Sequence, residues 1–151
     1  MSVWKMIASD FPLPAVKPEK EYPLEINLDQ GTIDDGGADD NFTLSPFPDN
    51  VKAYTDRKYG ATLFWYSCTE GRAARIIEII KATLQHTESV ELWNFWLGTL
   101  GEHERPFIKT VTIPVADLTP HEIQEWDIQQ VWRSPSRPGD RPTFYCLRVT
   151  K

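Results

Sequence analysis

Cysteine is scarce: Cys68 and Cys146 are the two in a chain of 151 residues. Two thiols cannot build a disulfide scaffold, and they predict reduced thiols in a cytoplasmic protein. Long apolar runs are missing too. No stretch approaches the roughly 18 apolar residues of a membrane-spanning helix, so the sequence predicts none. The start, Met1-Ser2-Val3-Trp4-Lys5-Met6-Ile7, lacks the extended apolar stretch and small-residue cleavage site of a secretory signal. Basic charge is short: 16 Lys and Arg stand against 22 Asp and Glu, a formal net charge of −6. That shortage argues against duplex DNA, because phosphate binding wants a broad basic face.

Large rings and proline are what the chain has in quantity, with six Trp, seven Phe, five Tyr and twelve Pro. At this length it predicts one domain, residues 1–151, which buries roughly 68–70% of its unfolded surface. The charge is unevenly spread. Residues 1–60 carry six Lys or Arg against eleven Asp or Glu, whereas residues 128–151 carry Arg133, Arg137, Arg141, Arg148 and Lys151 against Asp140 alone.

The first sixty residues predict an irregular, β-rich segment. Trp4 to Ala8 reads as a short strand, and the prolines from Pro12 to Pro23 impose extended backbone. Leu24-Glu25-Ile26-Asn27-Leu28 alternates like a half-buried strand. Asp34 to Asp40 reads as a mobile acidic loop, since it holds nothing apolar to bury and no EF-hand register.

From residue 61 the pattern sharpens. Ala61 to Ser67 is a strand apolar on both faces. Glu70 to Gln85 is a helix whose apolar stripe is Ala73, Ile76, Ile77, Ile80 and Leu84, with Thr69 as its N-cap and Arg72 and Arg75 off the stripe. Val90 to Leu97 is a second aromatic strand and Phe107 to Val115 a third. Thr119-Pro120-His121-Glu122 matches a capping box, with Leu118 and Ile123 set for a hydrophobic staple, and opens a second helix to about Ile128. Ser134 to Pro142 is a loop, and Thr143 to Thr150 a fourth strand.

The order over residues 61–151 is β-α-β-β-α-β. It resembles the ferredoxin-like fold, which implies an antiparallel sheet with helices on one face. The resemblance is one of topology and transfers no function. The second sheet face, also aromatic, then needs a cover: residues 1–60 or a second chain.

The chemistry offers few candidates. Cys68 stands between a strand and a helix start, where a helix dipole can activate a thiol. Cys68-Thr69-Glu70-Gly71-Arg72 resembles the phosphate loop of cysteine phosphatases in placing Cys after a strand, but its Arg spacing and glycine content do not fit. His86, His103 and His121 are scattered without metal-ligand spacing, so neither metal nor cofactor is expected. Arg133, Arg137 and Arg141 form a cluster suited to an anion. Trp65, Trp93, Phe95 and Trp96 supply the aromatic strand surface. The leading expectation is a small non-catalytic binding protein that meets a protein partner, or itself, through an aromatic sheet face or edge. The alternative is a small-ligand binder or enzyme with a pocket lined by Trp65, Trp93 and Trp126, and with Cys68 or the Arg133–Arg141 loop as its polar groups.

Overall fold

The computed structural model describes residues 2–47, 55–97, 107–129 and 143–151. Among these residues, eight strands and two helices make an α+β fold. The strands are β1 (Ser2–Ser9), β2 (Glu25–Asn27), β3 (Thr32–Asp34), β4 (Thr43–Phe47), β5 (Tyr59–Phe64), β6 (Ser89–Leu97), β7 (Phe107–Pro114) and β8 (Thr143–Thr150). Helix α1 is Glu70–Thr83 and α2 is Pro120–Asp127, preceded by a 3-10 turn at Val115–Asp117. Six strands form one sheet in the order β4-β5-β1-β6-β8-β7, and β2 and β3 form a separate hairpin.

The centre of that sheet is the N-terminal strand. Ile7 of β1 faces the helices, while Met6 and Ala8 face the other way, and all three are buried. A strand apolar on both faces is stable only where both are covered, which is a central position. Here β1 separates β5 from β6 and pairs antiparallel with each. The ferredoxin-like expectation is corrected on two counts. The sheet has six strands rather than four, and it is mixed, because β7 runs parallel to β8. The chain from β7 to β8 passes through α2, a crossover that permits parallel neighbours. Consequently β6 and β7, consecutive in the chain, are separated by β8.

Both helices pack on one face of the sheet and against each other. Ala73, Ile76, Ile77 and Ile80 of α1 are buried there with Leu63, Leu92, Leu147 and Val149 of the strands. Each such Ile, Leu or Val side chain contributes about 1.5–3 kcal/mol by leaving water. The Thr69 hydroxyl accepts from the Arg72 amide at 3.2 Å and so caps α1. At α2 the Thr119 amide donates to Glu122 Oε2 at 2.8 Å, and the Thr119 hydroxyl donates to the same carboxylate. Leu118 and Ile123 are both buried in the helix-side core, as a staple across that cap requires.

The rest of the described N-terminal segment divides between the two faces of the sheet, with Phe47, Thr55 and Arg57 on the side away from the helices. Leu13, Phe42 and Leu44 join the helix-side core, and Val16 exchanges backbone hydrogen bonds with Leu44 of β4 at 2.9 and 3.0 Å. The opposite sheet face has its own buried cluster: Met6, Ala8, Trp93, Phe95, Phe144 and Cys146, with Phe47 against it. Among the described residues, no helix is long and apolar enough to cross a membrane.

Candidate functional site

Three of the four aromatic residues expected to form a binding face, Trp65, Trp93 and Phe95, are core residues. Trp65 is buried on the helix side, meets Phe42 edge-on at 6.4 Å and donates its indole N–H to Asp127 Oδ1 at 2.7 Å. Lys5 Nζ reaches the same oxygen at 2.5 Å. Trp93 is buried on the other face and donates to Glu91 Oε2 at 2.8 Å. Phe95, also buried there, packs on Phe144 with ring centroids 5.6 Å apart. Trp126 lies with Trp65 in the helix-side core, so Trp65, Trp93 and Trp126 do not share a pocket. The backbone of Trp96 pairs opposite Val3, and its side chain lies outside the described residues. Arg133, Arg137 and Arg141 lie outside them as well.

Cys68 stands half-buried just before α1, as its sequence position suggests. Burial pushes its thiol up to about 12, and the Asp127 carboxylate pushes the same way, against smaller effects of Lys5 and Arg72. A nucleophilic thiol needs the opposite shift. A cleft of about 410 Å³ does lie between β1 and β5, lined by Val3, Trp4, Lys5, Thr62, Leu63, Phe64 and Trp65. Its charged lining group, Lys5, is already held by Asp127. Among the described residues, no three His, Cys, Asp or Glu gather to hold a metal.

Two polar centres escaped the sequence reading. Glu91 stands in the second aromatic strand with its side chain 5% exposed. It accepts from Thr55 Oγ1 at 3.0 Å, Trp93 Nε1 at 2.8 Å and Arg57 Nε at 2.6 Å, with Arg148 at 3.8 Å. A lone acid in an aromatic strand was the available signal, because a buried carboxylate needs partners. The second centre is Arg72. It donates to the Ala38 and Ser67 carbonyls at 2.9 Å each, and its Nη2 sits 2.8 Å from Asp35 Oδ2. Asp35 also accepts from the Gly37 amide and the Asn41 amide group, both at 3.0 Å. Burial alone would raise the Asp35 carboxyl. The hydrogen bonds from Arg72 and Gly37 and the Arg72 charge outweigh burial and hold it below the ordinary range. The acidic loop read as mobile is thus pinned to α1. Gly36 and Gly37 make it possible by taking positive φ, 79° and 68°.

The two edges of the main sheet differ in kind. On the outside of β4, Val16 already occupies the backbone of Leu44, and Pro46 has no N–H to offer. Strand β7 is bonded to β8 on its inner side, and among the described residues no strand pairs with its outer side. Seven of its eight residues are exposed, Ile113 being half-buried. Ile108 is 57% exposed and Val111 37%. The one charge on β7, Lys109, is drawn over the Tyr145 ring, 5.3 Å from its centroid. Natural edges are usually blunted by charge, proline or a covering loop. Between Phe107 and Thr112, β7 has no proline. Fold and edge together define a mixed sheet, helical on one side, with one edge strand that no other described strand covers. No protein-family model, curated protein or solved structure matches the chain.

Proposed function

We propose that this is a non-catalytic binding protein that adds an extended segment, from a protein partner or a second copy, to the outer edge of β7. The observation that carries the reading is the contrast between the edges: β4 is blunted by Val16 and Pro46, while β7 offers a run of eight exposed or half-exposed residues. Backbone pairing along such an edge supplies affinity, and side chains alternating to either face, here Ile108 and Val111, supply selectivity. The buried state of Trp93 and Phe95 moves the contact from the aromatic face to the edge. The raised Cys68 thiol favours binding over nucleophilic catalysis.

Proline substitutions test the reading. In a parallel pair, alternate residues of β7 turn their N–H inward to β8 and outward to solvent. Of Thr110→Pro and Val111→Pro, one should lower the melting temperature. Its neighbour should leave melting unchanged while weakening self-association or partner binding at least tenfold, measured by sedimentation equilibrium. A chain that stays monomeric up to millimolar concentration, and whose isolated partner binds both variants equally, would sink the proposal.

A further inference from the structure

The hairpin of β2 and β3 stands apart from the main sheet, and all six of its strand residues are exposed. Its register pairs Ile26 with Ile33, Glu25 with Asp34 and Asn27 with Thr32. Directly paired residues lie on one face, so the hairpin is amphipathic. Ile26 and Ile33 make its apolar face, at 62% and 55% exposed, and Leu24 and Leu28 flank Ile26 with Leu28 at 88%. A two-stranded hairpin alone is marginal in water, and one that shows its apolar face to solvent gains nothing from burial. Its base is nevertheless held firmly. Asp35, immediately after β3, is buried on Arg72, and the Tyr22 hydroxyl, ahead of β2, donates to Asp40 at 2.5 Å.

Charge says what the arm fits. Residues 19–40 hold Glu19, Glu21, Glu25, Asp29, Asp34, Asp35, Asp39 and Asp40 against Lys20 alone. Of these, Asp35 is neutralised by Arg72. Glu25 and Asp34 stand directly opposite each other, an arrangement of like charges that costs stability unless a cation lies between them. An anionic membrane or a nucleic acid would be repelled. A second copy would bring the same acidic arm and a net charge of −6.

We propose that this hairpin is a docking arm for another protein whose surface offers an apolar cleft rimmed by Lys or Arg. Ile26, Ile33, Leu24 and Leu28 would enter the cleft, and a cation on its rim would reach round the arm to bridge Glu25 and Asp34 on the opposite face. The site stands on different residues from the β7 edge and is independent of that reading.

The test uses the full chain and three short synthetic peptides as probes: one alternating Leu with Lys, one Leu with Glu and one Ser with Lys. Amide NMR shifts locate binding. The Leu/Lys peptide should shift the amides of residues 24–34, with affinity falling as salt rises. Ile26→Ser with Ile33→Ser should weaken it about tenfold or more and leave the remaining spectrum in place. Glu25→Gln with Asp34→Asn should weaken it several-fold and flatten the salt dependence. Equal binding of the Ser/Lys peptide would overturn the proposal by reducing it to charge, and equal binding of the Leu/Glu peptide by reducing it to apolarity. Shifts of the hairpin with protein concentration alone would make the occupant a second copy and overturn it too. The β7 proline variant that leaves melting unchanged should show the same peptide shifts at residues 24–34, whatever it does to shifts along β7, so failure of one site is read separately from failure of the other.

Discussion

Arg72 and Asp35 form an ion pair closed off from water, 2.8 Å apart with side chains 0% and 3% exposed. It joins the first turn of α1 to the loop that follows the β2–β3 hairpin. Two backbone carbonyls, Ala38 and Ser67, depend on the same guanidinium. Removing one partner from a buried pair leaves an uncompensated charge, which costs about 3–5 kcal/mol. Arg72→Met should therefore destabilise the chain by about that much in urea unfolding. Asp35→Asn should cost less, because its amide oxygen can still accept from Arg72. A loss under about 1 kcal/mol for Arg72→Met would show that the loop holds without the clamp.

Acid should release the same loop before the fold gives way. The Asp35 carboxyl titrates lower in the folded chain than in the unfolded one, where it sits at about 4. Its stabilisation is complete above that unfolded value and is lost as pH falls through the lower folded one. Protection of the Gly37 amide from hydrogen exchange, taken relative to the unprotected rate at each pH, should fall across that window. In Asp35→Asn that pH-dependent fall should vanish, since nothing is left there to titrate. Protection that is constant down to about pH 2 in the unaltered chain would contradict this.

Glu91 plays a comparable part on the other sheet face. Glu91→Ala leaves the Trp93 indole N–H and the Thr55 hydroxyl without their acceptor and removes the nearer carboxylate of Arg57. Arg57 keeps Asp10, at 3.0 Å, so part of its charge stays balanced. The expected loss is about 3 kcal/mol or more, with Glu91→Gln falling between the two because it retains one acceptor oxygen. Urea unfolding of the three chains orders them. Equal stability of Glu91→Ala and the unaltered chain would mean that the network contributes nothing.

These two centres mark where sequence reasoning stopped. Local signals were legible. Periodicity placed α1, Thr69 capped it, Thr119 and Glu122 opened α2, and the aromatic run of β6, the alternation of β7 and the loop before β8 located those strands within a residue or two. Pairing was not legible, because the partner of a strand is chosen by the whole core. Nothing in Trp4 to Ala8 says that it divides β5 from β6, although apolar side chains on both its faces favour a central place. Arg72 lies off the apolar stripe of α1, so helical periodicity gives no reason to bury it. The loop residues that bury it come from the far side of β4 and β5 in the chain. The same distance hid Asp35, whose neighbours in sequence are glycines and acids. For the candidate surfaces, the aromatic strands were visible but their burial was not. The exposed face of the hairpin depends on β2 pairing with β3 away from the main sheet.

The Cys68 thiol should be slow. With its pKa pushed up to about 12, against about 8.5 for a free cysteine, its thiolate fraction near pH 8 falls by on the order of a thousandfold. Alkylation by iodoacetamide, followed by mass spectrometry on the folded chain, should lag free cysteine by a large factor. The rate should keep climbing well past pH 9 instead of levelling there. Cys146, fully buried with its thiol also pushed up to about 12, should react only on unfolding. Labelling of Cys68 as fast as free cysteine at neutral pH would reopen the nucleophilic reading.

Asp127 links that thiol to the core. Its carboxylate accepts the Trp65 indole N–H, holds Lys5 and raises the Cys68 thiol. Asp127→Ala leaves a buried indole N–H unpaired, which costs about 1–3 kcal/mol. Asp127→Asn keeps an oxygen for Trp65 but discards the charge. It should stay near the unaltered chain in stability, apart from the Lys5 pair, which is partly exposed and contributes less than about 1 kcal/mol. Both variants should alkylate Cys68 faster than the unaltered chain by similar factors, since both lose the negative charge. The increase should stay several-fold at most, because burial is the larger cause of the raised thiol. If Asp127→Asn leaves the alkylation rate where it was, the carboxylate does not act on Cys68. If it destabilises as much as Asp127→Ala, the Trp65 hydrogen bond is not what Asp127 contributes.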